Sequence, residues 1–276
     1  MANMRWKNRV VALTGAGSGI GRALATALAS RGASLALSDV NEMGLAETKK
    51  RCEAIGTAPV RTYRLDVADR DAVAAHAEAV VQDFGRVNAI INNAGVSLTA
   101  LATEQQFKDI DWVLQTNLFG VLYGSQYFLP HIIASGDGLV VNISSIFGVI
   151  GVPGQSIYNA SKFGVRGYTE ALAMEMDMAE HPVSVHCVHP GGVSTDIVRN
   201  SRVADAGARS ALVRRFDKVA RTTPEAAADI ILRGVDKGRL RILVGADAHA
   251  LYALSQVLGS RYCRLVQRQT RRLYPK

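Results

Sequence analysis

Val10-Val11-Ala12-Leu13-Thr14-Gly15-Ala16-Gly17-Ser18-Gly19-Ile20-Gly21 is the stretch on which the fold turns. A short apolar run opened by two valines reads as a buried strand, and Ala23, Leu24, Ala27 and Leu28 beyond the glycines recur at helical spacing. A strand, a glycine-rich turn and a helix in succession bring backbone close to a pyrophosphate and aim the helix's amino end at its charge. Gly15, Gly17, Ser18, Gly19, Ile20 and Gly21 are therefore candidate contacts to a dinucleotide. The strict GxGxxG spacing is absent, because Ile20 takes the third glycine position counted from Gly15, and the pattern present is TGxxxGxG. Alone, such a turn is weak evidence, since an ordinary tight turn uses the same residues.

The next strand sharpens it. Leu35-Ala36-Leu37-Ser38 ends in Asp39, eighteen residues after Gly21, near the spacing expected for an acid that binds the adenosine ribose hydroxyls. That carboxylate repels a 2′-phosphate, and neither Ser18 nor Val40 supplies a compensating base, so NAD is expected rather than NADP. Further on, Asp66-Val67 ends a third strand, where an Asp can accept from the adenine amino group. Asn92-Asn93-Ala94-Gly95 ends a fourth, and its small Ala-Gly pair lets the chain pass close to a ribose. Asp66, Val67, Asn93, Ala94 and Gly95 join the candidate cofactor set.

The alternation continues to the far end of the chain. Strands are expected near 10–14, 34–39, 60–65, 88–92, 138–143, 183–188 and 240–244, with helices near 19–31, 41–55, 69–84, 106–134, 156–179 and 224–236. This is the pattern of βαβ units, so the expected fold is α/β: a single Rossmann-type, doubly wound domain around a seven-stranded parallel sheet. Two segments depart from it. Residues 191–222 carry no single period and are expected to cover the site as a lid. Residues 248–276 read as a basic, amphipathic C-terminal helix appended to a catalytic domain of residues 1–247.

Composition bounds the function. The 276 residues are 48% hydrophobic, enough for one sizeable core, and no apolar run approaches the ~18 residues of a membrane span. Without a signal-like leader the protein is expected to be soluble and cytoplasmic. Cys52, Cys187 and Cys263 are far apart, and neither they nor the six histidines have metal-ligand spacing, so no metal is expected. The net charge of +8 is concentrated in the tail: no acid follows Asp247, and Arg261, Arg264, Arg268, Arg271, Arg272 and Lys276 supply six of the eight excess charges. No base-reading element accompanies them, which argues against nucleic acid.

The fifth strand runs into Asn142-Ile143-Ser144-Ser145, and thirteen residues after Ser145 comes Tyr158-Asn159-Ala160-Ser161-Lys162. Tyr158 and Lys162, four apart, share one helix face. Taken together, TGxxxGxG, NNAG, the strand-end serine, YxxxK and Pro190-Gly191 after the sixth strand resemble the short-chain dehydrogenase/reductase family, over residues 8 to about 245. The resemblance implies that Tyr158 is the general acid and base, that Ser145 hydrogen-bonds the substrate oxygen, and that Lys162 binds the nicotinamide ribose while lowering the tyrosine pKa. It implies that Asn117 holds a water of the proton relay through its backbone, and that Pro190, Gly191, Val193 and Thr195 border the cofactor. The electrostatics allow this: half-ionising a tyrosine of pKa ~10 near pH ~7.5 takes about 3.4 kcal/mol. One ammonium about 5 Å away, at an effective dielectric of about 20, supplies about 3.3 kcal/mol.

The same resemblance places Val96, Leu98, Phe147, Val152, Pro153 and Ile197 around the substrate, beside Ser145 and Tyr158. With Val149, Ile150 and Ile157 this lining is apolar, which favours a hydrophobic secondary alcohol or its ketone, although part of it could simply be core. Lid arginines Arg199, Arg202, Arg209, Arg214 and Arg215 leave a carboxylate or acyl-carrier substrate open, hence an NADP-dependent 3-oxoacyl reductase as the alternative. A non-catalytic NAD sensor is a further one, but it would be marked by loss of Ser145, Tyr158 or Lys162. The family commonly forms dimers or tetramers through the helices near 106–134 and 156–179. In the tail, Leu251, Leu254, Leu258, Tyr262, Leu265 and Leu273 project to one side, with Arg261, Arg264, Arg268 and Arg271 adjoining; packing on protein and contact with an anionic membrane surface both fit.

Overall fold

Alternate residues of each central strand serve different helix layers, as the period of two requires. In the computed structural model, which describes residues 5–203 and 209–271, Val11, Leu13, Leu35 and Leu37 pack with Leu24 and Leu28 on one face of the sheet, and Ile231, Leu232 and Val235 join them. Val10, Ala12, Ala36 and Ile90 face the opposite layer, against Phe128, Ile132, Leu172 and Met176. Both faces are covered, which is why the strands read as continuous apolar runs.

The chain runs β1 (Val10–Thr14), α1 (Gly19–Ala29), β2 (Ser34–Asp39), α2 (Glu42–Ile55), β3 (Val60–Arg64), α3 (Arg70–Phe84), β4 (Ala89–Asn92), β5 (Leu98–Thr99), α4 (Phe107–Leu114), α5 (Gly120–Ala134) and β6 (Gly138–Ile143). It continues through α6 (Ser156–Met178), β7 (Val183–Pro190), β8 (Arg202–Val203), α7 (Arg209–Val219), α8 (Pro224–Asp236), β9 (Arg241–Val244), α9 (Ala246–Leu258) and α10 (Tyr262–Thr270). The seven-stranded sheet has the order β3-β2-β1-β4-β6-β7-β9 and is parallel throughout. Strand order reverses between β1 and β4, so the crevice for a ligand opens over their carboxyl ends.

Two expectations need correction. The helix expected over 106–134 is interrupted by a π turn at Gln115–Phe119, a wide turn that breaks the regular hydrogen-bond ladder and centres on Asn117. Residues 191–222, which carry no single period, include regular elements among the described residues: β8 pairs in parallel with β5, α7 covers Arg209–Val219, and Val193 bridges to Thr222. The tail is two helices, because Gly259, at φ +51, leads a 3-10 turn that rotates α10 relative to α9. A single projection therefore fails beyond Leu258, and Val266 is buried where Leu265 was expected, with Leu265 40% exposed. Leu273, Arg272 and Lys276 lie outside the described residues, as does the Arg215 side chain. Among the described residues no helix is long and apolar enough to cross a membrane.

Candidate active site

The glycine turn is shaped by its neighbours. Gly15 has φ +65, and a Cβ there would lie 2.7 Å from the Ala94 Cα, so only glycine lets the two strand ends close on each other. Asn93 fastens them: its Nδ2 donates to the carbonyls of Thr14 and Gly15, both at 3.0 Å, while Thr14 Oγ1 accepts from the Asn93 and Ala94 amides. Asn93 thus holds the turn from behind. Helices α2, α3 and α8 are capped by Asn41, Asp69 and Thr223, but the Ser18 side chain makes no cap bond to α1 and the first turn carries no acid. The first N–H groups of a helix have no partner within it. Here they are left for an anion.

Asp39 sits at the mouth of the turn, its carboxylate accepting from the amides of Gly17 and Asn41 at 2.9 Å. A carboxylate has about four acceptor positions, so capacity remains for ribose hydroxyls. Arg22 is close by, but its guanidinium donates to the carbonyls of Gly17 and Gly44 and to Thr48 Oγ1, and so is occupied. Asp66 is exposed at the end of β3 with Val67 buried beside it. Across the crevice, the Thr195 Cγ2 is 3.1 Å from where a Cβ of Gly19 would stand, so the loop after β7 faces the glycine turn. An uncapped helix end, a glycine cradle and a hydroxyl-seeking acid on one crevice together fit a dinucleotide.

Beneath it Asn117, Ser145, Tyr158 and Lys162 converge, all buried. Asn117 Oδ1 accepts from the Val96 amide at 2.7 Å and its Nδ2 donates to the Val96 carbonyl at 2.9 Å, which fixes the segment between β4 and β5 against the π turn. Lys162 Nζ donates to the Ile143 carbonyl at 3.0 Å and lies 5.8 Å from the centroid of the Tyr158 ring. Ser145 stands beside Tyr158, and its Oγ accepts from the Phe147 amide at 3.1 Å. Burial pushes the Tyr158 phenol up from its ordinary value, with Ser145 acting the other way, and pulls the Lys162 ammonium down to about 8. Desolvation disfavours the charged form of both groups, and on the phenol it outweighs the lowering influence of Ser145.

The expected substrate lining divides. Phe147 meets the Tyr158 ring edge-on at 6.2 Å. Val149 and Ile150 pack with Ala248, Leu251 and Tyr262 of the C-terminal segment, with Phe147 and Val152 at their border. Val96 and Ile157 belong to a cluster with Leu98, Ala100 and Val113 beside α4. Pro153 is exposed and Ile197 half-buried. Three lid arginines are engaged: Arg199 pairs with Asp196 and Asp217, Arg209 donates to the Arg199 carbonyl, and Arg202 pairs with Asp109 at 2.7 Å and lies 3.9 Å above the Trp112 ring.

Two contacts have no counterpart in the sequence reading. Asn159 Oδ1 accepts from the Val152 amide, and its Nδ2 donates to the carbonyls of Phe147 and Ile150, both at 2.7 Å. His189, fully buried and held neutral by desolvation with a pKa of about 4, donates from Nδ1 to the Ser145 carbonyl at 3.0 Å. Their positions, directly after Tyr158 and directly before Pro190, were the available signal, but the partners lie in loops that no local pattern brings near.

Residues 9–206 match the short chain dehydrogenase family. SadH of Mycobacterium tuberculosis, named as an oxidoreductase, is 50% identical over 271 residues, 98% of each chain. FabG of Thermotoga maritima, named as a 3-oxoacyl acyl-carrier-protein reductase, is 36% identical over 233 residues, 83% of this chain and 91% of its own. The crystal structure of a short-chain dehydrogenase/reductase from Burkholderia phymatum in complex with NAD superposes with a TM-score of 0.85 at 31% identity, covering 92% of this chain and 95% of that one.

Proposed function

This chain belongs to the short-chain dehydrogenase family and is an oxidoreductase, and we propose that it moves a hydride between NAD(H) and a hydrophobic secondary alcohol or its ketone. The observation that carries the reading is a buried cation beside a buried phenol. Lys162, 3% exposed, has a carbonyl as its partner and among the described residues no carboxylate. An ammonium so placed is costly to the fold, and such costs concentrate at working sites.

Each residue has a part that follows from its position. The glycine turn and Asp39 would hold NAD, which when bound would supply the hydride acceptor. Tyr158 takes the hydroxyl proton in oxidation and returns it to the carbonyl oxygen in reduction; burial favours its protonated form, the one that donates. Ser145 holds the substrate oxygen against Tyr158. Lys162 stabilises the phenolate with little screening, since water is excluded. Asn117, in the wide π turn, would hold a water of the proton relay through its backbone.

Asp39 and the NAD bound by the Burkholderia relative both support NAD over NADP. The Thermotoga relative supports the alternative, reduction of an acyl-carrier ketone, but Arg199, Arg202 and Arg209 are already engaged within the protein. Exposed Phe163, Met174 and Met178 on α6 support pairing of copies through that helix. The test is a panel of aliphatic, cyclic and steroid secondary alcohols with NAD and with NADP, followed by NADH absorbance. Turnover of the apolar alcohols with NAD is expected, and Asp39→Ala should lower the NAD-over-NADP ratio of kcat/KM by about tenfold or more, the worth of a charge-assisted hydrogen bond. Turnover with NADP alone, or of acyl-carrier substrates alone, would overturn the reading.

A further inference from the structure

Two loops, residues 146–153 after β6, which carry Phe147 to Tyr158, and 191–195 after β7, are both gripped by the C-terminal segment. Tyr262, the first residue of α10, accepts the Gly151 amide on its Oη at 2.7 Å, across 111 residues of sequence. Asp247, in the first turn of α9, accepts the Gly192 amide at 2.6 Å. A Cβ on Gly191 would stand 2.3 Å from that carboxylate, so the loop and α9 are seated in direct contact. Between the anchors Ala248, Leu251 and Tyr252 pack against Ile146, Val149 and Ile150. Gly245, at φ +98, turns the chain from β9 into this arm.

The consequence is mechanical. Asn159 holds the first loop from the side of Tyr158, and Tyr262 holds it from outside, so Phe147, which meets the Tyr158 ring, stands on a loop fixed from both directions. The second loop carries Thr195 toward the glycine turn and is anchored to the same arm. We propose that the C-terminal arm, α9 with α10, is a brace tying the substrate wall at 146–153 to the cofactor-side loop after β7, and that Tyr262 is a positioning residue through which it sets which alcohols fit. The inference rests on the reading of residues 146–153 as the substrate wall.

Tyr262→Phe keeps the ring and removes the acceptor. Amide hydrogen exchange in the full-length chain should rise about tenfold at residues 146–153, the equivalent of one net hydrogen bond, with the glycine turn unchanged. The kcat/KM ratio between the best and the poorest alcohol of the panel should fall about fivefold to tenfold, within what pocket fit can discriminate, while NAD affinity holds. Asp247→Asn, a weaker acceptor, should raise exchange at 191–195 instead. Exchange that stays at the unaltered level in the Tyr262 variant would overturn the brace. So would a uniform rise over the whole chain, which marks a general stabiliser, or a local rise with the alcohol ratio unchanged. Exchange needs no substrate: if the unaltered chain oxidises no alcohol, the dehydrogenase reading fails while a local rise in exchange still establishes the tether.

Discussion

The two sides of the crevice are held together by different means. On the cofactor side, the contacts join neighbouring strands: Ala16 donates to the Ser38 carbonyl, Gly17 to Asp39, and Asn93 to the end of β1. On the substrate side, the loop at 146–153 is fixed by Asn159 in α6 and Tyr262 in α10, and the lid by Arg202 against Asp109 and Trp112 in α4. The first side is a product of sheet order. The second depends on tethers between elements far apart in the chain, each of which can change without disturbing the sheet. A scaffold made this way can keep one cofactor while its substrate varies.

The largest effect expected from separating the sides is chemical. Tyr158→Phe should lower kcat by about 10³-fold, within the range for loss of a general acid, while NAD binds with unchanged affinity by fluorescence titration. Substantial residual turnover would show that the proton takes another route, and loss of NAD binding would show that the two sides are not separable at this residue.

Acid comes next and weighs unequally on the two sides. His76, His186 and His189 are buried, and desolvation lowers each to about 4 from an ordinary 6.5. A group whose folded pKa is depressed in this way stabilises the fold fully above its unfolded pKa and loses that contribution as pH falls through the folded one. Between pH ~6.5 and ~4 each histidine therefore removes about 1.4 kcal/mol per pH unit. His186 and His189 lie on β7, and His189 touches Ser145. Urea unfolding should shift to markedly lower midpoints from pH ~7.5 to ~5.5, with amide exchange rising first beside β7. A midpoint independent of pH in this range would mean the imidazoles find solvent or partners when protonated.

This asymmetry also explains what could be read without coordinates. Gly15, Asp39 and Asn93 act within a few residues of a strand end, so spacing along the chain reports their neighbourhood in space. The seven strands of the main sheet were legible for the same reason, because continuous apolar runs mark a sheet covered on both faces. Asn159 and Tyr262 act on a loop whose path is set by packing, and nothing in their local sequence encodes it. Val149 and Ile150 illustrate the difficulty: they look like pocket residues, but their side chains pack against an arm that begins about a hundred residues later. The break at Gly259 was readable in principle, since a lone glycine late in a helical pattern permits a turn. A pairwise charge estimate for Tyr158 and Lys162 leaves out desolvation, because burial of both groups follows from the fold and not from their spacing.

The smallest of these effects is the most selective probe of the tethered side. Asn159→Ala removes one acceptor and both donors from residues 147–152, so the Val152 amide and the carbonyls of Phe147 and Ile150 lose their partners together. Leaving such groups unsatisfied costs about 1–3 kcal/mol each when water cannot reach them. This loop lies near the surface, with Gly151, Val152 and Pro153 partly or fully exposed, so water takes up part of the loss and a total of about 2 kcal/mol is expected. Denaturant unfolding should read that loss. NAD affinity should hold, since Asn159 touches neither the glycine turn nor Asp39, whereas KM for the alcohol should rise as Phe147 loosens from Tyr158. A variant that weakens NAD as much as alcohol would mean the two sides form one mechanical unit, with the loop's grip transmitted through α6 and Lys162 to the cofactor.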